Sequence, residues 1–188
     1  MSDRTQRTQS VVAARQAPLR ERYAHSPQDA LTRKTARTTT KSVPADDPFH
    51  GEVEIGDGYG ISVRYGLDRY IGGLHDAPNP GDLLCAALAA CADGTVRMIA
   101  NLLEIELEDL EVEIGGELDV RGCLAADPNV RVGFQRLDCR VRLHAADGTD
   151  PLRVEHLTAA AERYCVNLDT LIGGIDVHTT FDAGDHAG

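Results

Sequence analysis

Between Asn79 and Leu103 the chain runs NPGDLLCAALAACADGTVRMIANLL, and no other stretch constrains the fold so strongly. Asn79 suits an N-cap, Pro80 the first helical position and Asp82 the third, so the spacing predicts a helix reaching about Leu103. One stripe of it reads Leu84, Leu88, Cys91, Thr95, Met98 and Leu102, and a second reads Cys85, Ala89, Ala92, Val96, Ile99 and Leu103. A helix apolar on more than one face has to be buried centrally or shared between subunits.

A chain of 188 residues, 42% of them hydrophobic, is sized for one domain around one main core. That core must come from Leu, Val, Ile and Ala, because Trp is absent and aromatics make up only 4%. The formal charge of -11 and the lack of stacking residues argue against nucleic acid as the main ligand. The longest apolar run, Leu83 to Ala92, falls short of the ~18 residues of a membrane span, and the polar, Arg-rich start has no apolar signal core. The expectation is a cytoplasmic protein with no membrane partner. Five cysteines without a regular framework fit a reducing compartment.

Charge is distributed unevenly. Residues 1–45 carry nine basic and three acidic residues, a basic extension of net +6 expected to be partly disordered, with a short helix over Pro18 to Ala24 and a Thr-rich strand within Leu31 to Thr40. The domain proper is expected over 46–182, followed by a disordered tail over 183–188. Within it, Val53 and Ile55 alternate with glutamates, Gly56-Asp57-Gly58 makes a turn, and Ile61, Val63 and Tyr65 alternate again, which predicts a hairpin rather than a nucleotide loop. Beyond the long helix, strands are expected over Leu110 to Val120, with a bulge at Gly115-Gly116, and over Arg131 to His144. A second helix follows from Asp150-Pro151 to about Tyr164, then a turn-rich stretch from Asn167 to Gly174 and a last strand from Ile175 to Phe181. Tight turns between consecutive strands imply antiparallel pairing, hence an α+β fold.

The chain has no nucleophile elbow, Walker loop, HExxH or CxxC, and its seven histidines are scattered without metal-ligand spacing. No metal or organic cofactor is expected, and the cysteines remain. Cys85 and Cys91 sit six apart on one helix, about 120° apart around its axis, which prevents a disulfide between them. Cys85 reads as a small hydrophobe, Cys123 as a loop thiol and Cys139 as a residue on the core face of a strand. Cys91 is either a core cysteine or a nucleophile, and Cys165, just past the second helix, is either incidental or its partner.

Three segments bear on these options: GGLHDAPNPGDLLCAALAAC (Gly72 to Cys91), VRVGFQRLDCRVRL (Val130 to Leu143) and ERYCVNLDTL (Glu162 to Leu171). Together they resemble the osmotically inducible protein C and organic hydroperoxide resistance (OsmC/Ohr) family, over about Phe49 to Phe181. The resemblance implies antiparallel sheets around a long central helix and a second helix, in an intertwined homodimer with active sites at the subunit interface. It also implies a thiol peroxidase acting on organic hydroperoxides, with Cys91 peroxidatic, Cys165 resolving and an external thiol as reductant. Attack of a thiolate on an O–O bond gives a sulfenic acid with which a nearby thiol condenses.

Cys91 lies about three turns into its helix, out of reach of the N-terminal dipole, so a cation has to approach it. In the family an arginine from the N-terminal strands does this, held by a glutamate; Arg37, Arg64 and Arg69 are the candidates here. The family's P-E-x-L becomes Pro80-Gly81-Asp82-Leu83, so Gly81 takes the usual glutamate position and Asp82 is the neighbouring carboxylate, either catalytic or a plain helix cap. Val166 stands where proline often follows the resolving cysteine. Gly81 supports the alternative reading, a dimer without peroxidase activity that binds a small hydrophobic or thiol-reactive ligand at the subunit interface.

Overall fold

In the computed structural model, which describes residues 10–182, the run after Asn79 is a single helix whose start is locked by reciprocal hydrogen bonds. The Asn79 side chain accepts from the Asp82 N–H at 3.0 Å, and the Asp82 carboxylate accepts from the Asn79 N–H at 2.8 Å, satisfying two of the orphan donors of the first turn. This helix, α2 (Pro80–Leu102), buries Leu88, Ala92, Thr95, Val96, Ile99 and Ala100. Its length and composition would allow it to cross a membrane, yet here it is the centre of a packed core. Residues 1–9 and 183–188, where disorder is expected, lie outside the described residues.

Two antiparallel sheets accompany α2. The first orders β1 (Ala36–Thr39), β2 (His50–Ile55) and β3 (Ser62–Gly66), with Val53 opposite Val63 and Glu52 opposite Arg64. Its hairpin turn is the expected one, with Gly56, Gly58 and Gly60 at positive φ. The second pairs β4 (Leu107–Glu117) with β5 (Arg136–Ala145), Val112 opposite Val141 and Ile114 opposite Cys139. The bulge expected at Gly115-Gly116 is absent: both pair regularly, with Asp138 and Leu137, and the irregularity lies between Leu107 and Asp109. Gly116 is glycine for a packing reason, since a Cβ there would lie 2.5 Å from the Phe134 ring. A four-residue helix, α3 (Val120–Cys123), stands in the connection.

The second predicted helix is α4 (Pro151–Tyr164), capped by Asp150. The stretch from Asn167, expected to be a turn-rich connection, is instead a further helix, α5 (Val166–Gly173), ended by Gly174 at φ 68°. Its Asn, Asp and Gly residues read as turn signals, but packing against α2 overrides them. Residues 175–181, expected as a strand, have no strand partner among the described residues and leave Ile175, Val177 and Phe181 exposed.

The basic extension is better ordered than its composition suggests. A helix, α1 (Val11–His25), starts seven residues before the expected Pro18 and contains that proline. Ser10 explains the early start: its hydroxyl accepts from the Ala13 N–H and donates to the Asn101 side chain at 2.8 Å, tying the cap to the end of α2.

The core has two centres. One gathers Val96, Ile99, Ala100, Ile105, Leu157 and Ala161 where α2 meets α4, and the other gathers Leu88, Ala92 and Cys165.

Candidate active site

Cys165 occupies the single extended residue between α4 and α5, so one break in the helix turns its side chain inward. It is 1% exposed, packed with Leu88 and Ala92 of α2. Cys91, one turn along α2 from Leu88, is half-buried and packs against the same cluster. Sequence separates these cysteines widely; the α4–α5 corner brings them together.

Burial pushes the Cys165 pKa above 9.0, the Leu168 N–H acts in the opposite direction, and the neighbouring Cys91 thiol raises it again. Burial therefore holds Cys165 as a thiol more firmly than a free cysteine. The sulfur of Cys91 instead accepts the Asn167 backbone N–H at 3.5 Å, while the Asn167 side chain donates to the Ala87 carbonyl at 2.9 Å and clamps the start of α5 onto α2. Thr95 returns its hydroxyl to the Cys91 carbonyl at 2.7 Å. Asn167 was not singled out in the sequence, because its role depends on a corner that read as loop.

The carboxylate and cations expected around Cys91 are occupied elsewhere. Asp82 holds the helix cap, and its charge, after burial, helps raise the pKa of Cys85. Arg37 pairs with Glu54 at 2.6 Å, Arg64 lies 3.9 Å from Asp76, and Arg69 stacks over Tyr70. Among the described residues no ion pair or hydrogen bond brings an arginine to Cys91. Cys139 is exposed by area, yet it lies on the expected face of β5, with Val141 and Leu143, where it opens into the space beside α2 and the α4–α5 corner.

Two cavities flank the α4–α5 corner, and of the Cys91–Cys165 pair only Cys165 lines one of them. One, of about 420 Å³, runs between β5 and the α4–α5 corner over α2 and touches Cys165, Cys139, Val141 and Leu143. The other, of about 540 Å³, is lined by Leu84 and Leu88 of α2, Phe134, Leu137 and the α5 residues Leu168 and Ile172, with Arg131, Gln135 and Arg136 on its polar side. They share Cys139, Leu168 and Ile172 as common wall.

One ionic cluster escaped the sequence reading. His50, its side chain only 8% exposed, has Nδ1 3.0 Å from Asp47 and Nε2 2.9 Å from Asp76. Hydrogen bonds to Asp76 and then Asp47 raise its pKa, so the imidazolium donates from both nitrogens and ties β2 to the segment that leads into α2. No spacing rule signals it, since Asp76 meets His50 only through the sheet.

Known proteins share this fold. The family described as OsmC-like protein matches residues 73–180. The organic hydroperoxide resistance protein OsmC of Legionella pneumophila is similar at 27% identity and TM-score 0.51, over 78% of this chain and 93% of its own. An OsmC-like protein from Mycoplasma pneumoniae aligns at 13% identity and TM-score 0.58, over 76% of this chain and 89% of its own. An OsmC-like protein of unknown function from Vibrio cholerae aligns at 15% identity and TM-score 0.58, covering 74% and 94%. No curated protein matches the chain. With the family match spanning more than half of the sequence, this chain belongs to the OsmC-like proteins.

Proposed function

We propose that this protein reduces organic hydroperoxides with Cys91 as the attacking thiolate and Cys165 as the resolving thiol. The observation that carries the reading is the packing of these two cysteines against each other at the α4–α5 corner, one half-open and one buried. Family membership and the organic hydroperoxide resistance protein among the similar structures support it.

The Cys91 thiolate attacks the terminal peroxide oxygen, the O–O bond breaks, and the leaving alkoxide takes a proton to give the alcohol. Cys91 is left as a sulfenic acid. The Cys165 sulfur then attacks the Cys91 sulfur, hydroxide leaves as water with the thiol proton, and a disulfide remains. Two equivalents of an external thiol restore the dithiol. The scheme uses no metal or organic cofactor.

Activation of Cys91 needs a cation, and Arg37, Arg64 and Arg69 are each engaged within their own chain. The reading therefore includes a homodimer, intertwined so that a second copy completes the site, with Arg37 or Arg64 as the supplied guanidinium and Asp82, next to Gly81, as the candidate carboxylate. The segment 175–181, which has no strand partner among the described residues and leaves Ile175, Val177 and Phe181 exposed, is consistent with such an assembly. The cytoplasm, where external thiols are abundant, is the matching compartment.

The test is peroxide consumption by the reduced protein. Cys91→Ser should abolish it, and Cys165→Ser should give one turnover ending in a sulfenic acid trapped by dimedone. Turnover that survives Cys91→Ser contradicts the proposal.

Among the described residues no ion pair or hydrogen bond brings a guanidinium to Cys91, and this, together with the largely apolar cavity beside Cys165, favours a second reading: a dimer that binds a small hydrophobic or thiol-reactive ligand without turning over peroxide. That reading predicts ligand binding that is unchanged by Cys165→Ser.

A further inference from the structure

His50 stands between two carboxylates that are held in different ways. Asp47 accepts the backbone N–H groups of Phe49 and His50 at 2.8 and 3.1 Å as well as ring Nδ1 at 3.0 Å, so the start of β2 itself fixes it. Asp76, on the segment that leads into α2, meets Nε2 at 2.9 Å with its side chain 47% exposed. Its other ion-pair neighbour among the described residues is Arg64 of β3, at 3.9 Å.

The backbone is pinned on either side of Asp76. The His75 N–H donates to the Leu67 carbonyl at 3.2 Å, and the Pro78 carbonyl accepts the Gly66 N–H at 3.0 Å. Between these anchors the Asp76 side chain on His50 is the tie to β2. His75 sits at φ 54°, a left-handed conformation that a residue with a side chain keeps only while its surroundings hold it.

An imidazolium donates from both nitrogens, a neutral imidazole from one. Asp47 cannot withdraw from Nδ1 while two backbone N–H groups hold it, so the last ring proton stays on that side. Nε2 then turns a lone pair toward Asp76, which is free to move into solvent or toward Arg64. Around them, Glu52 and Arg64 form the next cross-strand pair on the same face, Glu54 is paired with Arg37 and Lys41, Tyr65 covers Gly51, and His75 lies 3.8 Å from Asp68.

We propose that His50 is a proton-operated latch: while the ring is charged it holds residues 72–78 against β2, and when it loses its proton Asp76 detaches and that segment opens, with Asp47 still in place. The start of α2 stays closed, because the Asn79–Asp82 box holds it independently. The device does not depend on the peroxidase reading.

The experiment follows the His50 ring by NMR from pH 5.5 to 9, assigned with His50→Gln, and measures amide exchange at His75 and Gly66 in the same samples, corrected for the intrinsic rate. Protection of both amides should fall about fivefold or more as the ring titrates, and in His50→Gln and Asp76→Asn it should be low at every pH. If neither variant folds, the wild-type titration decides alone. Protection that stays within about twofold while the ring titrates, a ring that remains charged to pH 9, or an Asp76→Asn protein as pH-dependent as the wild type overturns the inference.

Discussion

The backbone N–H of Asn167 donates to the sulfur of Cys91 at 3.5 Å, and its own side chain fixes that donor in place by reaching the Ala87 carbonyl at 2.9 Å. A donor aimed at a thiolate stabilises the charged form, so Asn167 connects the fold of α5 to the reactivity of α2. Asn167→Ala removes the side-chain anchor. It should lower stability by about 1 kcal/mol and slow alkylation of Cys91 severalfold at fixed pH, read by mass-resolved iodoacetamide labelling.

Cys165 predicts the pH course of the second step. Burial holds its pKa above 9.0, so the thiolate that attacks the sulfenic acid is scarce at neutral pH and grows steadily in alkali. Disulfide formation after a single peroxide addition should accelerate across the mildly alkaline range with no plateau below pH 9. An early plateau, followed by stopped-flow fluorescence or quench and mass analysis, would contradict the burial argument.

Stability should depend on His50 with a definite sign. Its folded pKa stands above 6.5, so the folded state holds the proton more tightly, and the contribution is complete below 6.5 and fades as pH rises through the folded value. Asp76 and Asp47 are held below 3.8, so their contribution is present above 3.8 and disappears as pH falls through their folded values. Arg64 also faces this cluster, 3.9 Å from Asp76. Urea midpoints should therefore decline from pH 6 toward 9 in the wild type, and His50→Gln should flatten that decline.

Leu88 and Leu157 separate the two core centres. Both are almost fully buried, at 2% and 0% exposed, so alanine at either should cost about 2–5 kcal/mol. Only Leu88 touches Cys165. Leu88→Ala should also increase Cys165 labelling in the folded protein, whereas Leu157→Ala should leave it unchanged.

Local signals made α2 and the hairpin legible. The Asn79–Asp82 box and the glycine turn act within a few residues, and each formed where the sequence placed it. Cys91 and Cys165 could be named from a resemblance, but their meeting depends on a one-residue break between α4 and α5, and α5 itself read as loop. Features made by tertiary contact stayed hidden: Ser10 reaching Asn101, His50 between two aspartates, and Phe134 filling the space over Gly81 and Gly116. The expected strand at 175–181 marks the same boundary, since a strand is completed by a partner edge that the sequence does not specify.

The central claim is that Cys91 and Cys165 form one redox pair. The most direct measurement adds one equivalent of cumene hydroperoxide to the reduced protein, with Cys91→Ser in parallel, and follows peroxide, free thiols and intact mass together. The account predicts rapid peroxide loss with disappearance of two thiols and a Cys91–Cys165 disulfide in the peptide map, all absent from Cys91→Ser. Equal peroxide loss in Cys91→Ser, or retention of all five thiols in the wild type, would contradict it.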